Sequence, residues 1–375
     1  MKYVIKNIKQ FKEVNIMNKT PRVNINLAEI ETNARILKNK CEEQGINITG
    51  VVKGGAGDLR IVNAIVSGGI STIGDSRIKN IKKMREAGFD NEMVLLRLPR
   101  LSEIQSLIKY VDISLNSELV TLEGIGREAL KQGKIHKAII MVDVGDLREG
   151  VLVKDFMEFM KSALEIEGVE IVGLGTNVGC YGGVLPTPEN TKILLDLKEK
   201  IKDKYDYDLK VVSGGNTATT ILLEKGQLPE GINNLRVGEG LIQGTDITHQ
   251  REISFLNSNN IKLAAEIIEL KNKPSKPSGK TGHDAFGNKP EFEDKGIRKR
   301  AILAVGRQDV NVDGMTPILE GIEIIGASSD HLLCDVTESK RNLQIGSEIE
   351  FKLDYGAMLQ TMTSEYIYKN YINMP

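Results

Sequence analysis

The feature that most constrains this chain is a regular alternation of short apolar runs and amphipathic segments between residues 47 and 240. The runs are nearly continuous and often β-branched, which is typical of parallel strands buried on both faces. Between them, apolar residues such as Ile78, Ile81 and Met84 recur at helical spacing. Eight runs fit this description: 48–52, 71–74, 93–96, 112–115, 138–142, 170–174, 209–213 and 234–237.

Eight strands with intervening helices match a (β/α)8 barrel of the TIM type, whose helices cover the outside of a closed sheet. An open, doubly wound sheet has the same local pattern, so the alternation alone leaves both architectures available. Eight units within roughly 200 residues favour the closed form. We therefore predict an α/β fold with an N-terminal barrel over residues 20–245.

The pattern changes after about residue 245. Residues 262–270 resemble a strand, and residues 271–299 form a long loop that contains three prolines and four glycines. Long loops inside a domain are often functional. The short runs 301–306, 321–325, 332–336 and 348–353 are separated by turn residues. We therefore predict a mostly-β C-terminal domain over residues 246–375, and an N-terminal extension, residues 1–19, with a short helix.

Charge and composition exclude several classes of protein. The chain has 50 Lys and Arg residues against 51 Asp and Glu residues, so no net basic surface favours nucleic acid or an anionic membrane. Its three cysteines, Cys41, Cys180 and Cys334, are too few and too far apart for a disulfide framework or a zinc cluster. No apolar run approaches the ~18 residues of a membrane span, and the first 15 residues lack a signal-peptide core. We expect a soluble cytoplasmic protein.

Residues that follow the barrel strands are the candidates for chemistry, because active sites of such barrels form at the C-terminal ends of the strands. The first strand is followed by Lys53 and then by Gly54 and Gly55. A lysine amine that is desolvated at such a position becomes a nucleophile. The alternative interpretation is a surface lysine at a turn.

The loops after the seventh and eighth strands, residues 213–217 and 236–240, are polar and rich in glycine. Their backbone N–H groups and a hydroxyl could bind a phosphate, and this is the usual phosphate site in these barrels. Alternatively, the glycines only form tight turns. A reactive lysine together with a phosphate site is the arrangement that a phosphorylated aldehyde cofactor, held as an imine, would require.

Several segments resemble the alanine-racemase-like (fold type III) family of pyridoxal-phosphate enzymes. They are residues 22–27, 29–34 and 51–53, followed by 143–150, 216–217 and 236–238. The resemblance extends over roughly residues 20 to 370. The motifs at 215–218, 284–292, 306–309 and 353–358 are most similar to the ornithine racemase branch of that family.

The resemblance implies pyridoxal 5'-phosphate as cofactor and Lys53 as the lysine that binds it covalently. Arg148 corresponds to an arginine that places the phenolic oxygen of the cofactor and the substrate carboxylate. Arg236 corresponds to the arginine that faces the pyridine nitrogen, where a permanent cation keeps that nitrogen unprotonated. The positions implied to hold the phosphate are Asn216, Thr217, Gly238 and Glu239.

Three positions depart from the family pattern. Gly57 replaces a phosphate-binding tyrosine, and Asn177 replaces the histidine that stacks on the cofactor ring, so we assign Asn177 to the cofactor site. Arg307 aligns with the tyrosine that acts as the second catalytic base, although arginine is a poor base in water. Either Arg307 acts in an unusual environment, or another residue takes this role: Asp309, Asp330, His331, Cys334 or Tyr355.

Together these features predict a pyridoxal-phosphate-dependent racemase of a free amino acid, with ornithine or a related diamino acid as the expected substrate. The resemblance also implies a homodimer whose active sites are shared between subunits. Three other functions remain: a D-amino-acid aldolase, a decarboxylase of basic amino acids and a non-catalytic carrier of the cofactor. The aldolase would require a divalent metal, but the four histidines form no pair at close spacing, so we predict no metal site.

Overall fold

A computed structural model describes residues 19–372 of the chain, which form two compact units. One unit is Leu27–Ser258, and the other combines residues 19–26 with residues 259–372. The short helix predicted within residues 1–19 lies outside the described residues, except for Lys19. No helix in the described part of the chain is long and apolar enough to cross a membrane.

Strands and helices alternate along the first unit, whereas the second unit consists mostly of strands. The strands are β1 Arg22–Asn26, β2 Asn47–Val51, β3 Thr72–Asp75, β4 Glu92–Leu95, β5 Ile113–Asn116, β6 His136–Asp143, β7 Val151–Leu152, β8 Val169–Gly175, β9 Val211–Ser213, β10 Asn234–Val237, β11 Thr245–Asp246, β12 Arg251–Glu252, β13 Ile261–Pro274, β14 Ile297–Leu303, β15 Met315–Pro317, β16 Glu323–Ala327, β17 Leu332–Asp335, β18 Glu348–Leu353 and β19 Tyr368–Ile372. The helices are α1 Leu27–Glu42, α2 Leu59–Ser67, α3 Ile78–Glu86, α4 Ile104–Tyr110, α5 Leu119–Lys131, α6 Phe156–Leu164, α7 Pro188–Tyr205, α8 Thr220–Glu224, α9 Glu239–Gln243 and α10 Tyr355–Thr363.

The first unit is a closed parallel barrel. Its strands follow the order β5-β4-β3-β2-β10-β9-β8-β6, and the pairing of β5 with β6 closes the ring. Each of the eight strands coincides with one of the eight apolar runs in the sequence. The predicted (β/α)8 barrel is therefore confirmed, and the open sheet is excluded.

Both faces of the barrel strands are buried, which explains why their sequences are continuously apolar. On β6, Ala138, Ile140 and Val142 belong to a hydrophobic cluster that includes residues of α6 and α7. The alternate residues Ile139 and Met141 belong to a second cluster in which the buried members all come from strands. Successive side chains of a strand point to opposite faces, so one set packs on the helices and the other fills the barrel.

The second unit is built on a mainly antiparallel sheet with the strand order β15-β18-β13-β14-β17-β16. Strand β1 pairs with β13 in antiparallel orientation and with β19 in parallel orientation. The predicted mostly-β domain is confirmed, and α10 is its helix of nine residues.

Strand β1 belongs to this second sheet, although the sequence analysis placed it inside the barrel range 20–245. The alternating burial of β1 explains its place in this sheet, which has one buried face. Val23 and Ile25 are buried, whereas the Arg22 guanidinium donates to the Glu348 carboxylate at 2.6 Å on the other face. The long loop is also shorter than predicted: it spans residues 275–296 in the structure, against the predicted 271–299. The ladder between β13 and β14 continues through polar residues as far as the pair Pro274 and Ile297.

Candidate active site

Lys53 lies directly beyond β2, in a 3-10 turn that spans Lys53–Gly55. The side chain is largely buried, and this desolvation lowers the pKa of its amine. The nearby cation of Arg148 lowers this pKa further, whereas the charges of Cys180, Glu149 and Asp75 oppose the shift. A lysine with a lowered pKa provides more neutral amine near pH 7, which is the form that attacks a carbonyl group.

Asp75 ends β3, the strand next to β2, and its side chain is fully buried. Its carboxylate accepts hydrogen bonds from the Arg77 backbone N–H at 2.8 Å and from the Asn80 amide at 3.1 Å. Burial nevertheless raises the pKa of Asp75 to about 6, against the opposing effects of these bonds and of Lys53. Asp75 is not among the predicted site residues, and its signal in the sequence is a carboxylate at the end of a buried strand.

We predict that Asp75→Asn stabilises the protein at pH 8 and that this gain shrinks toward pH 4. The raised pKa of Asp75 means that the folded state holds its proton more tightly than the unfolded state does. That contribution to stability is fully present below the unfolded pKa, near 3.8, and is lost as the pH rises through about 6. Two pKa units at about 1.4 kcal/mol each make the stability of the variant relative to the wild type up to about 3 kcal/mol more favourable at pH 8 than at acid pH.

Chemical denaturation at pH 4 and pH 8 measures this difference in the free energy of unfolding. The matched control is Asp155→Asn, since Asp155 is exposed and its side chain does not cap α6. A difference between Asp75→Asn and the wild type that is the same at both pH values would contradict the prediction.

Arg236, on β10, is the most deeply buried cation of the site and is 5% exposed. Its guanidinium donates to the Thr176 carbonyl oxygen at 2.5 Å and to the Ser213 hydroxyl. Burial lowers the pKa of Arg236 to about 10, so the group remains a cation at neutral pH. The absence of a side chain at Gly175 makes room for the Arg236 guanidinium, because a Cβ atom on Gly175 would lie 3.3 Å from it. Arg236 therefore connects the ends of β8, β9 and β10.

The loops after β9 and β10 form a small polar cradle. The Thr217 hydroxyl accepts from the backbone N–H groups of Gly238 at 3.4 Å and Gly240 at 3.3 Å. A Cβ atom on Gly238 would approach the Val51 side chain at 3.0 Å, a tight contact that favours glycine at this position. The carboxylate of Glu239 accepts from the Ile247 backbone N–H and from the Thr245 hydroxyl, both at 2.8 Å.

Asn177 and Asn216 link the loop after β8 to the loop after β9. The Asn216 amide donates to the Val178 carbonyl at 2.8 Å and to Asn177 Oδ1 at 3.1 Å, while its own Oδ1 accepts from Ala218 N–H. Both amides also reach the Cys180 sulfur, Asn177 at 2.9 Å and Asn216 at 3.4 Å. The two residues thus orient Cys180, which the sequence analysis did not assign to the site.

The loop that carries Cys180 is held by one buried carboxylate, that of Asp146, which is 1% exposed. This carboxylate accepts four backbone N–H groups at 3.0–3.4 Å, those of Gly179, Cys180, Tyr181 and Val184. Arg148, two residues further along the chain, forms an ion pair with Glu149. The segment 146–149 therefore contributes both a positioning carboxylate and a cation near Lys53.

Arg307 lies in the second unit, whereas the other predicted site residues lie in the barrel unit. Its guanidinium is 3.8 Å from the Asp313 carboxylate and lies over the Phe286 ring, 5.5 Å from its centroid. Among the alternative bases, Cys334 is buried and its pKa is raised to about 12, which disfavours a thiolate. Asp309 accepts a hydrogen bond from the Ser364 hydroxyl at 2.7 Å.

Within residues 19–372, no three His, Cys, Asp or Glu side chains come together in an arrangement that could hold a metal ion. The site combines a largely buried lysine, a buried arginine and a glycine-rich cradle around one barrel end. This combination defines the class: a barrel enzyme whose lysine can react with a carbonyl group.

Comparisons with known proteins agree with this class. Residues 25–245 match the family model "Alanine racemase, N-terminal domain". The chain is 44% identical to ornithine racemase from Acetoanaerobium sticklandii, over 93% of this chain and 99% of the relative. It is 43% identical to lysine racemase from Thermotoga maritima, over 94% and 98% of the two chains. The structure of alanine racemase from Clostridium difficile 630 matches with a TM-score of 0.72 at 17% identity, covering 95% of this chain and 97% of that one.

The chain belongs to the alanine racemase family. Its fold is shared by proteins of other activities, such as the D-threo-3-hydroxyaspartate dehydratase from Delftia sp. HT23, which matches with a TM-score of 0.71 at 15% identity over 97% of each chain. Fold alone therefore does not assign the reaction, and the relatives of high identity carry more weight.

Proposed function

We propose that this protein is a pyridoxal-phosphate-dependent racemase that interconverts the L- and D-forms of a free diamino acid. The observation that carries the proposal is the placement of Lys53, with its lowered pKa, at the same barrel end as buried Arg236 and the cradle of Thr217, Gly238 and Gly240. These three features match the three parts of the cofactor: an aldehyde, a pyridine nitrogen and a phosphate.

The residues present fit pyridoxal phosphate. Lys53 offers an amine that is deprotonated more easily than usual, which attachment to an aldehyde requires. Thr217 and the backbone N–H groups of Gly238 and Glu239 would bind the phosphate, and a Cβ atom on Gly238 would lie only 3.0 Å from the Val51 side chain. Asn177 and Asn216 would border the ring as a linked pair of amides.

The chemistry that pyridoxal phosphate supplies when bound is electron withdrawal, which makes the α-hydrogen of an attached amino acid acidic. In this chain, Lys53 Nζ would take or return that proton on one side of the substrate. Arg148 would bind the substrate carboxylate, and Arg236 would keep a positive charge beside the pyridine nitrogen. Arg307 would contribute positive charge rather than a proton, because arginine side chains are not deprotonated in proteins.

The substrate class follows from the relatives, because ornithine racemase and lysine racemase are each more than 40% identical to this chain along nearly its whole length. Both named substrates carry a second amino group. We therefore propose ornithine or lysine as the substrate, ahead of alanine, for which the matching alanine racemase from Borreliella burgdorferi is 27% identical over half of the chain.

We also propose a cytoplasmic homodimer in which each subunit completes the active site of the other, as the family resemblance implies. Sedimentation at micromolar protein concentration should then give twice the 41.4 kDa mass of the chain. A monomer that is fully active would contradict the shared site.

Chiral chromatography tests the function directly. The purified protein, incubated with the cofactor, should racemise L-ornithine or L-lysine at least about tenfold faster than L-alanine, a difference of about 1.4 kcal/mol in transition-state binding. Formation of an aldehyde or a decarboxylated amine in place of the D-enantiomer would favour the aldolase or the decarboxylase. Cofactor binding without any product would favour the carrier.

A further inference from the structure

We propose that Glu149 is the specificity-determining residue that lets this site accept a substrate with a second ammonium group. The inference rests on the proposed racemase function and names what would select diamino acids within it. A diamino acid such as ornithine carries one more positive charge than a neutral amino acid of the same length. A site that selects it must supply negative charge, because like charges at short range repel each other.

The cations at the barrel end already repel one another. Burial lowers the pKa of Lys53 and of Arg236, and the positive charge of Arg148 lowers both further. A second ammonium group on the substrate would meet the same repulsion from these cations. The groups that the proposed function assigns to the cofactor and to the substrate carboxylate therefore disfavour a diamino acid, unless a carboxylate offsets their charge.

Glu149 is a carboxylate within electrostatic reach of all three cations. Its two oxygens accept hydrogen bonds from Nε and Nη2 of Arg148, and its side chain is 15% exposed. Burial lowers the pKa of Lys53 and of Arg236, and the negative charge of Glu149 opposes that effect at both groups. The same charge would offset the repulsion between these cations and a second ammonium group.

The barrel topology places Glu149 across the site from Lys53. Lys53 follows β2 and Glu149 follows β6, and these strands are separated by β3, β4 and β5 on one side of the ring and by β10, β9 and β8 on the other. The effects of Glu149 on Lys53 and on Arg236 of β10 indicate that its carboxylate points over the barrel end. A substrate bound near Lys53 would therefore have this carboxylate across the site from it.

The loop that carries Glu149 is held in a defined shape. The Asp143 carboxylate accepts hydrogen bonds from the backbone N–H groups of Gly145 at 2.8 Å and Leu147 at 3.2 Å. Gly150 returns the chain to β6, where a Cβ atom on it would clash with the backbone of Asp143. Leu147 is 69% exposed and has a φ of 54°, a left-handed conformation that is unfavourable for leucine. Strain of this kind is concentrated where a backbone positions functional side chains.

Two other carboxylates near these cations are already bound within the fold. Asp75 is fully buried and accepts hydrogen bonds from a backbone N–H and a side-chain amide, and burial raises its pKa to about 6. Asp146 is 1% exposed and accepts four backbone N–H groups. Glu149 differs from both because its partner is the side chain of Arg148, and its oxygens have further lone pairs for a donor from the substrate.

The main test compares ornithine with norleucine, a neutral amino acid in which a methyl group takes the place of the distal ammonium. Glu149→Gln removes the negative charge and nearly keeps the shape of the side chain. The ratio of kcat/KM for ornithine to kcat/KM for norleucine should fall at least about tenfold, while kcat/KM for norleucine is retained. Effects of the substitution on Lys53 and on binding of the α-carboxylate cancel in this ratio, because both substrates share them.

Two further variants separate charge from structure. Glu149→Asp keeps the negative charge and should hold the ratio within about threefold of the wild-type value. Glu158→Gln is the matched control, because it removes an exposed carboxylate from α6, and it should leave the ratio unchanged. A ratio in Glu149→Asp as low as in Glu149→Gln would overturn selection by charge.

A second measurement requires no turnover. Borohydride reduction would fix the cofactor on Lys53, so that added amines cannot react with it. 5-Aminopentanoate and hexanoate have the same length and the same carboxylate, and only the first carries an ammonium group at the far end. Calorimetric titration should show 5-aminopentanoate binding at least about fivefold more weakly to Glu149→Gln than to the wild type, with no loss of affinity for hexanoate.

The outcomes separate this inference from the proposed function. A substrate ratio in Glu149→Gln within about threefold of the wild-type value overturns the inference while the racemase function stands. An equal loss of kcat/KM, or of affinity, for the charged and the neutral compound also overturns it, because Glu149 would then position Arg148 for any substrate. A wild-type protein that racemises neither ornithine nor lysine contradicts the function itself, and the inference falls with it.

Discussion

Lys53→Ala should abolish racemisation, with a fall of at least about 1,000-fold, and should remove the visible absorbance band that pyridoxal phosphate gives when bound to the wild type. In the proposed function the substitution removes the amine that binds the cofactor and, with it, the proton-transfer group of one substrate face. The thermal midpoint should not fall, since desolvation lowers the pKa of Lys53 and the folded state therefore disfavours its charged form.

The measurement combines a chiral assay, an absorbance spectrum and thermal unfolding on the same preparation. Lys79→Ala is the matched control, because Lys79 is an exposed lysine on α3. If Lys53→Ala kept both the absorbance band and the activity, Lys53 would not be the cofactor-binding lysine.

Arg236 should have two separable roles, one in stability and one in the reaction. Arg236→Glu places a carboxylate beside the Thr176 carbonyl oxygen at a position that is 5% exposed, so it should cost more than about 3 kcal/mol of stability. Arg236→Gln can still donate to that carbonyl and should cost about 1–2 kcal/mol, the value of its lost bond to Ser213.

The functional role should appear in Arg236→Gln, which should remain folded at that smaller cost in stability. Without the cation, the pyridine nitrogen of the cofactor would be protonated more readily, which favours keto-acid formation over racemisation. We expect racemisation at least about tenfold slower and a higher ratio of keto acid to D-enantiomer, both measured by chromatography. Arg251→Gln, which loses ion pairs with Glu224 and Asp246, controls for stability alone. An unchanged ratio of keto acid to D-enantiomer would mean that Arg236 has only a structural role.

The barrel could be predicted from the sequence because its strands are buried on both faces. Residues such as Ile139 and Ile140 must both be apolar when one faces the barrel interior and the other faces a helix. The position of Lys53 followed from the same rule, since a residue directly after a parallel strand lies at the end of the barrel where sites form. For the barrel strands and for Lys53, the local sequence pattern and the barrel topology lead to the same prediction.

The pairing of strands that lie far apart along the chain could not be predicted from the sequence. Strand β1 falls inside the predicted barrel range 20–245, but the partners of its Val23, Leu263 and Lys369, lie far along the chain. The role of Asp146 was equally hidden, because its four N–H partners lie more than thirty residues away. Cys180 appeared only as an isolated cysteine until the contacts with Asn177 and Asn216 placed it in the site.

The location of β1 has a consequence for the order of folding during synthesis. Among the described strands β1 leaves the ribosome first, yet both of its edges pair with strands made much later, β13 and β19. Throughout translation of Leu27–Ser258, the backbone groups of β1 lack these native partners. An unpaired strand with alternating apolar residues is a template for incorrect association. The nascent chain therefore carries an unpaired strand with alternating apolar residues until β13 and then β19 have been made.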